Sequence, residues 1–114
     1  MNRLEGKVAV ITGGAQGIGA AFAKGMASQG AKVVIAARSD SSKVVSEINH
    51  SGGEAIGCKV DVNDNPSLLA MVEEAEAKFG PIEILVNNAA LFSSLVMKPF
   101  MEIEEEEWDQ VMKV

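Results

Sequence analysis

The sequence has 114 residues, which is enough for one domain or for part of one. Its 16 acidic and 10 basic residues give a formal net charge of −6, which argues against nucleic acid as a partner because nucleic-acid-binding surfaces are basic. No apolar run is long enough to span a bilayer and Cys58 is the only cysteine, so we predict a cytoplasmic protein with no membrane partner and no internal disulfide.

The first predicted strand, residues 7–12, runs directly into a glycine-rich turn and then into a helix. That helix carries Ile18, Phe22 and Met26 at four-residue spacing, which predicts one buried stripe with the small neighbours Ala21, Ala23 and Ala27. Gly30 is predicted to end the helix as its C′ glycine. A strand, a glycine turn and a helix in this order present a helix N-terminus to a phosphate group.

The second and third strands are predicted at residues 32–37 and 54–60, with an amphipathic helix between them. The second strand is apolar on both faces, as is typical of a central strand in a parallel sheet. Polar residues 38–42 lead into the helix, which is predicted to end at residues 51–53. Cys58 is interpreted as a small buried hydrophobe rather than as a nucleophile.

The third helix is predicted to begin with Asn65 as its N-cap and Pro66 at its first position, and to end before Gly80. A fourth strand at residues 82–86 and a further helix from residue 102 complete the chain. The predicted apolar face of the third helix consists of Leu68, Leu69, Val72, Ala75 and Phe79.

This alternation of strands and helices indicates an α/β fold, a Rossmann-type doubly wound parallel sheet. Right-handed crossovers place the first two helices on one face of the sheet and the third on the other. The predicted strand order is 3-2-1-4, and the sequence ends before a fifth strand. The chain reverses direction between strands 1 and 4, so the crevice at their carboxyl ends is the expected ligand site.

Three glycines in the first turn have separate predicted functions. Gly13 leaves the strand by a tight turn, Gly17 lets a pyrophosphate approach the backbone, and Gly19 allows close helix packing. A glycine-rich turn without a ligand is the alternative on these residues alone.

The end of the second strand bears on the choice of cofactor. An acidic residue there would bind a free ribose 2′-hydroxyl, but the position holds Ala37, followed by Arg38. A guanidinium can bind a phosphate through two hydrogen bonds, so the residues favour NADP(H), with NAD(H) as the alternative. The other interpretation of Arg38 is a surface cation.

Three stretches resemble the motifs of the short-chain dehydrogenase/reductase family. Residues 12–19, Thr-Gly-Gly-Ala-Gln-Gly-Ile-Gly, match the family's Thr-Gly-x-x-x-Gly-x-Gly turn. Asp61 and Val62 match the family's adenine-binding pair, and residues 87–90, Asn-Asn-Ala-Ala, resemble its Asn-Asn-Ala-Gly motif. Ala90 departs from the family, which has glycine at that position.

The resemblance implies that the glycine turn holds the cofactor pyrophosphate and that Asp61 accepts a hydrogen bond from the adenine amino group. It also implies that Asn87 and Asn88 tie the fourth strand to the glycine turn and meet the cofactor ribose. Residues 1–114 would then be the N-terminal part of an NAD(P)-binding Rossmann domain. With Arg38, the predicted cofactor-binding residues are Thr12, Gly13, Gln16, Gly17, Ile18, Gly19, Arg38, Asp61, Val62, Asn87, Asn88 and Ala89.

The resemblance further implies an NAD(P)(H)-dependent oxidoreductase that transfers hydride between the nicotinamide and a carbonyl or secondary alcohol. The completed protein would take a small-molecule substrate and form a homo-oligomer. The family's chemistry uses a tyrosine, a lysine four residues later, a serine and an asparagine. This sequence has no tyrosine, so we assign no catalytic residue and no metal ligand, and we predict that the 114 residues alone are inactive. A non-catalytic nucleotide-binding or protein-interaction module is the alternative.

Overall fold

The computed structural model of the chain describes residues 3–15 and 17–88. Strands and helices alternate through these ranges, as the sequence predicts. They are β1 (Val8–Thr12), α1 (Gly17–Ser28), β2 (Lys32–Ala37), α2 (Ser42–His50), β3 (Glu54–Lys59), α3 (Asn65–Phe79) and β4 (Ile84–Val86). The helix predicted from residue 102 lies outside the described residues.

The four strands form one parallel sheet in the order β3-β2-β1-β4, which confirms the predicted order. Thr12 at the end of β1 pairs with Ala36 of β2, and Ile11 pairs with Val86 of β4. The carboxyl ends of β1, β2 and β4 therefore lie side by side. This register brings the glycine turn after β1 next to the residues that follow β4.

Two hydrophobic cores cover the two faces of the sheet. Ile11 and Ile35 point to the face that α1 and α2 cover, whereas Val10 and Val34 point to the face that α3 covers. Each fully buried valine or isoleucine contributes about 1.5–3 kcal/mol of hydrophobic stabilisation. The predicted assignment of helices to faces is confirmed.

The buried stripe of α1 differs from the predicted one. Ile18 is 71% exposed and Phe22 is 48% exposed, and the buried residues are Gly19, Ala20 and Ala23. Both stripes have helical spacing, but they are rotated by one residue, or about 100°, around the helix. Ala20 and Ala23 pack in the core on this face of the sheet, so the prediction that Ile18 and Phe22 are buried was wrong.

The beginning and inner face of α3 also require correction. The N-cap is Asp64 rather than Asn65, because its Oδ2 accepts a hydrogen bond from the Ser67 N–H at 3.3 Å, the usual N-cap contact. Leu69 was predicted to be buried but is 65% exposed, and Met71 is buried instead. Met71 and Ala75 lie one helical turn apart, so the stripe that passes through them leaves Leu69 facing outward.

The predicted end of α1 is confirmed. Gly30 has a φ of 95°, and the N–H of Ala31 donates to the carbonyl of Met26 at 3.1 Å, as in a Schellman motif. The strands are slightly shorter than predicted: β1 begins at Val8, β3 ends at Lys59 and β4 begins at Ile84. Within the described ranges, no helix has both the length and the hydropathy needed to cross a membrane.

Cys58 lies in β3 and is 7% exposed, as its interpretation as a buried hydrophobe requires. Its Sγ donates a hydrogen bond to Glu74 Oε2 at 3.3 Å. Burial, together with the neighbouring Glu74 carboxylate, raises the pKa of the Cys58 thiol to about 12. The thiolate, which is the reactive form, is therefore strongly disfavoured in the folded chain.

At pH 8, we expect Ellman's reagent to react with Cys58 of the folded chain at a rate on the order of a thousandfold lower than with Cys58 of the chain unfolded in guanidinium. The reason is that the thiolate fraction falls as the pKa rises from its unfolded value to about 12. Stopped-flow absorbance measures both rates. Equal rates in the folded and unfolded chain would contradict the burial of this thiol.

Candidate cofactor site

The glycine turn begins where β1 ends. Gly13 has a φ of 68° and its N–H donates to the Ala36 carbonyl at 2.8 Å, so it still pairs with β2 while the chain turns. Gly17, which begins α1, has a φ of 60°. Both angles lie in the left-handed region that favours glycine. The turn thus connects a central strand to a helix N-terminus over a few residues.

A hydrogen-bond network ties this turn to the end of β4. The Thr12 hydroxyl donates to the Val86 carbonyl at 3.3 Å and accepts the Asn88 N–H at 3.0 Å. The Asn88 side-chain amide donates to the Gly13 carbonyl at 3.2 Å. The predicted tie between the fourth strand and the glycine turn is confirmed for Asn88. Asn87, the other residue predicted for it, is exposed.

Gly19 lies directly against this network. A Cβ at Gly19 would overlap the Gly13 carbonyl oxygen and the Asn88 side-chain nitrogen. The sequence predicted that Gly19 allows close packing of the helix on the sheet. The structure shows that the close approach is to the glycine turn and to Asn88.

Gly14 is a structural residue that the sequence analysis missed. A Cβ at Gly14 would lie 3.0 Å from Cγ2 of Ile35 and 3.3 Å from Cγ2 of Ile11. Both distances are shorter than an ordinary van der Waals contact, so a side chain at position 14 would crowd the core. The absence of a side chain at Gly14 lets the turn pack against Ile11 and Ile35. The sequence signal for this role was the position of Gly14, the second of two glycines directly after β1. That strand is apolar at every position except Thr12.

The space over Gly17 is open among the described residues. A Cβ at Gly17 would meet no heavy atom of the described residues within 4 Å. The first N–H groups of α1 have no partner within the helix, and the helix dipole is positive at this end. An open backbone surface with amide donors fits a pyrophosphate, which needs close approach and hydrogen-bond donors. Ile18, in the same helical turn, exposes most of its side chain at this edge.

Arg38 lies at the same edge of the sheet. Ala37, the last residue of β2, is buried, and Arg38, which follows it, is exposed. Since Gly13 is bonded to Ala36 at the end of β2, the glycine turn and Arg38 both extend beyond the carboxyl ends of neighbouring strands. The structure therefore places a cation next to the strand that carries the turn.

Asp61 and Val62 follow β3 at this edge and are both partly buried. The Val60 N–H donates to the Ala37 carbonyl at 2.9 Å, which holds this segment beside the end of β2. Asp61 Oδ1 accepts the Asn63 N–H at 3.0 Å. Among residues 3–15 and 17–88, no donor contacts Asp61 Oδ2, so this oxygen can accept a further hydrogen bond.

The structure brings most of the predicted site residues to one edge of the sheet. Gly13, Gly19 and Asn88 meet through the contacts of the glycine turn, and Arg38 and Asp61 follow the neighbouring strands. Gln16 and Ala89, which were also predicted to bind the cofactor, lie outside the described residues.

A groove of about 690 Å³ lies at the other end of the sheet, between the last turns of α1 and α2. Lys24 and Glu47 form an ion pair along it. Within the described residues, no three His, Cys, Asp or Glu side chains are grouped as metal ligands would be. Among the described residues, the candidate site is therefore marked by the backbone of the glycine turn and of Gly17.

A sequence model of the short chain dehydrogenase family matches residues 7–114. The chain is 43% identical over 113 residues to an uncharacterized oxidoreductase of Thermotoga maritima, covering 97% of this chain and 43% of that protein. It is 42% identical over 112 residues to galactitol 2-dehydrogenase of Agrobacterium fabrum, covering 98% of this chain and 42% of that protein. The chain thus spans less than half the length of these curated relatives.

The fold is similar to that of a dehydrogenase/reductase from Sinorhizobium meliloti, with a TM-score of 0.87 and 37% sequence identity. The match covers 97% of this chain and 44% of that structure. Since the family model extends over nearly the whole sequence and the fold is shared, the chain belongs to the short-chain dehydrogenase family.

Proposed function

We propose that this chain is the cofactor-binding part of an NADP(H)-dependent oxidoreductase that acts on a carbonyl or secondary alcohol. The observation that carries the proposal is the glycine turn after β1, which Asn88 holds next to the open backbone at Gly17. The relatives support the reaction class, since galactitol 2-dehydrogenase is named for the oxidation of an alcohol. The buried single cysteine supports a reducing compartment such as the cytoplasm.

Different residues at this edge of the sheet would bind different parts of the cofactor. The glycine turn and the first turn of α1 would bind the pyrophosphate through backbone N–H groups. Asp61 would accept a hydrogen bond from the adenine, and Val62 would pack against its ring. Asn87, Asn88 and Ala89 would lie along the ribose. When bound, the nicotinamide supplies or accepts the hydride, and the protein contributes binding and orientation.

The preference for NADP(H) rests on the end of β2. Ala37 is apolar and buried, so it offers no carboxylate to a ribose 2′-hydroxyl. Arg38 is exposed and charged at the same edge, where it can bind a 2′-phosphate. We expect no turnover from the 114 residues alone, since the sequence has no tyrosine for the proton transfer that the family performs with one.

The proposal is tested by titrating the chain with NADPH, using isothermal calorimetry, in parallel with two matched glycine variants. Gly17 and Gly52 have φ values of 60° and 90°, and a Cβ at either would meet no described heavy atom within 4 Å. Alanine therefore strains the backbone at both positions, but only Gly17 lies at the proposed pyrophosphate site.

We expect Gly17→Ala to weaken NADPH binding at least tenfold, or about 1.4 kcal/mol, because the added methyl group keeps the anion away from the backbone. Gly52→Ala should leave the affinity within about twofold, or about 0.4 kcal/mol. An unsubstituted chain that binds neither NADPH nor NADH would refute the proposed function. Equal losses in the two variants would refute the placement of the pyrophosphate.

A further inference from the structure

Ser67 lies in the first turn of α3, and its hydroxyl contacts the backbone of Asp61 at both the N–H and the carbonyl group. The Asp61 N–H donates to the Ser67 Oγ at 3.2 Å. The same Oγ lies 3.1 Å from the Asp61 carbonyl oxygen and 2.9 Å from that of Asp64, and its single hydrogen is shared between these two acceptors. One side chain of α3 therefore holds the segment that follows β3 at Asp61.

The N-terminus of α3 keeps Ser67 itself in place. The Ser67 N–H donates to Asp64 Oδ2 at 3.3 Å, and the Leu68 N–H donates to the Asp64 carbonyl at 3.2 Å. The Asp64 N–H in turn donates to the Asp61 carbonyl at 2.9 Å. These hydrogen bonds close a turn between Asp61 and Ser67, so the position of Asp61 is coupled to the beginning of the helix.

The Asp61 side chain is held by a separate contact. Its Oδ1 accepts the Asn63 N–H at 3.0 Å, and with the backbone held by Ser67 this contact sets the direction of Oδ2. A carboxylate oxygen accepts hydrogen bonds but does not donate them. Oδ2 can therefore bind the amino group of adenine, and it repels the carbonyl oxygen that hypoxanthine has at the same position of the ring.

We infer that Ser67 is a positioning residue that, by holding Asp61, sets the selectivity of the site for adenine over hypoxanthine. Ser67 need not touch the cofactor for this effect, because a hydrogen bond weakens steeply when its acceptor is displaced or tilted. The inference rests on the proposed function, since it requires the adenine of a bound dinucleotide to meet Asp61.

The test compares the affinities of the chain for NADPH and for the analogue of NADPH that carries hypoxanthine in place of adenine, both measured by calorimetry. The ratio of the two affinities reports the contact with the amino group, whereas a general loss of stability lowers both affinities alike. Ser67→Ala removes the hydroxyl and Ser67→Thr retains it. Asp61→Ala removes the carboxylate, alone or combined with Ser67→Ala.

Ser51→Ala is the matched control for the loss of a serine hydroxyl. The Ser51 hydroxyl also donates to a backbone carbonyl, that of Glu47 at 2.9 Å, but it lies at the end of α2. Circular dichroism checks that every variant folds.

We expect the unsubstituted chain to bind NADPH at least about tenfold more tightly than the analogue, as for a hydrogen bond to a charged group. Ser67→Ala should lower this preference about threefold to tenfold, whereas Ser67→Thr and Ser51→Ala should leave it within about twofold. In the Asp61→Ala background, Ser67→Ala should not change the ratio further, because its effect requires the carboxylate.

The results that would overturn the inference differ from the result that would overturn the proposed function. If Ser67→Ala lowers both affinities by the same factor, Ser67 has only a structural role. If Ser67→Ala still lowers the ratio in the Asp61→Ala background, it does not act through Asp61. If the unsubstituted chain binds NADPH and the analogue equally, this inference fails and the proposed function stands. If the chain binds neither NADPH nor NADH, the proposed function fails and this inference fails with it.

Discussion

Replacing Gly19 with alanine is expected to lower the free energy of unfolding by about 2–3 kcal/mol, within the range that overpacking costs. The added Cβ would overlap the Gly13 carbonyl oxygen and the Asn88 side-chain nitrogen. The turn, α1 or Asn88 must move, and any of these shifts weakens the tie between β1 and β4. For a domain of this size the melting temperature should fall by roughly 10–20 °C.

Gly25 provides a matched control for this prediction. It lies later in α1, and a Cβ there would meet no described heavy atom within 4 Å. Gly25→Ala should therefore raise the free energy of unfolding by about 0.5–1 kcal/mol, because alanine is the better helix former. Urea unfolding followed by circular dichroism measures both variants. Effects of the same sign and size would show that Gly19 is not constrained by the turn.

Replacing Arg38 with alanine is expected to weaken NADPH binding by roughly tenfold to a hundredfold and to leave NADH binding nearly unchanged. A hydrogen-bonded guanidinium–phosphate pair contributes about 1.5–3 kcal/mol, which corresponds to this range of affinity. Arg38→Lys should give an intermediate loss, because lysine keeps the charge but lacks the planar fork of donors. Calorimetric titration of each variant with both dinucleotides gives the comparison.

Arg3 is the control for the loss of a positive charge. It is exposed, and its backbone N–H lies 3.4 Å from the Gln29 side chain, next to the turn between α1 and β2 and away from the glycine turn. Arg3→Ala changes the net charge by the same amount and should leave the NADPH affinity within about twofold, or about 0.4 kcal/mol. Equal losses from the two substitutions, or equal affinities of the unsubstituted chain for NADPH and NADH, would contradict the role of Arg38.

Most of the fold could be predicted because its signals are local. Four predicted strands that alternate with amphipathic helical segments indicate a parallel sheet covered by helices. The handedness of the crossovers then leaves few arrangements, and the observed order β3-β2-β1-β4 is the predicted one. The turn at Gly30 was equally readable, since a left-handed residue after a helix is usually glycine.

The errors arose where two neighbouring residues had equivalent local signals. Asp64 and Asn65 are both good N-caps, and the choice depends on which side chain meets the Ser67 N–H. In α1, the large stripe through Ile18 and Phe22 and the small stripe through Ala20 and Ala23 have the same period. Only the tertiary packing of the helix decides which of the two is buried, and the structure buries Ala20 and Ala23.

For the candidate site too, the sequence identified residues, whereas the structure was needed to show their contacts. The glycine spacing and Arg38 were identified from residue types and from their positions at strand ends, since parallel strands bring those ends to one edge. Asp61 and Asn88 were identified through the resemblance to the family's motifs. Their contacts depend on register across distant segments. Asn88 contacts Gly13 because β4 pairs with β1 in the observed register.

The sequence by itself determined the element types and the strand order, and it predicted the edge of the sheet at which a ligand would bind. It could do so because periodicity, turn chemistry and crossover handedness act over short stretches of chain. Only the tertiary structure decided which face of α1 is buried, why Gly14 and Gly19 must lack side chains, and how Asn88 holds the glycine turn. Those features depend on distances between atoms that are far apart in the sequence, and residue patterns do not encode such distances.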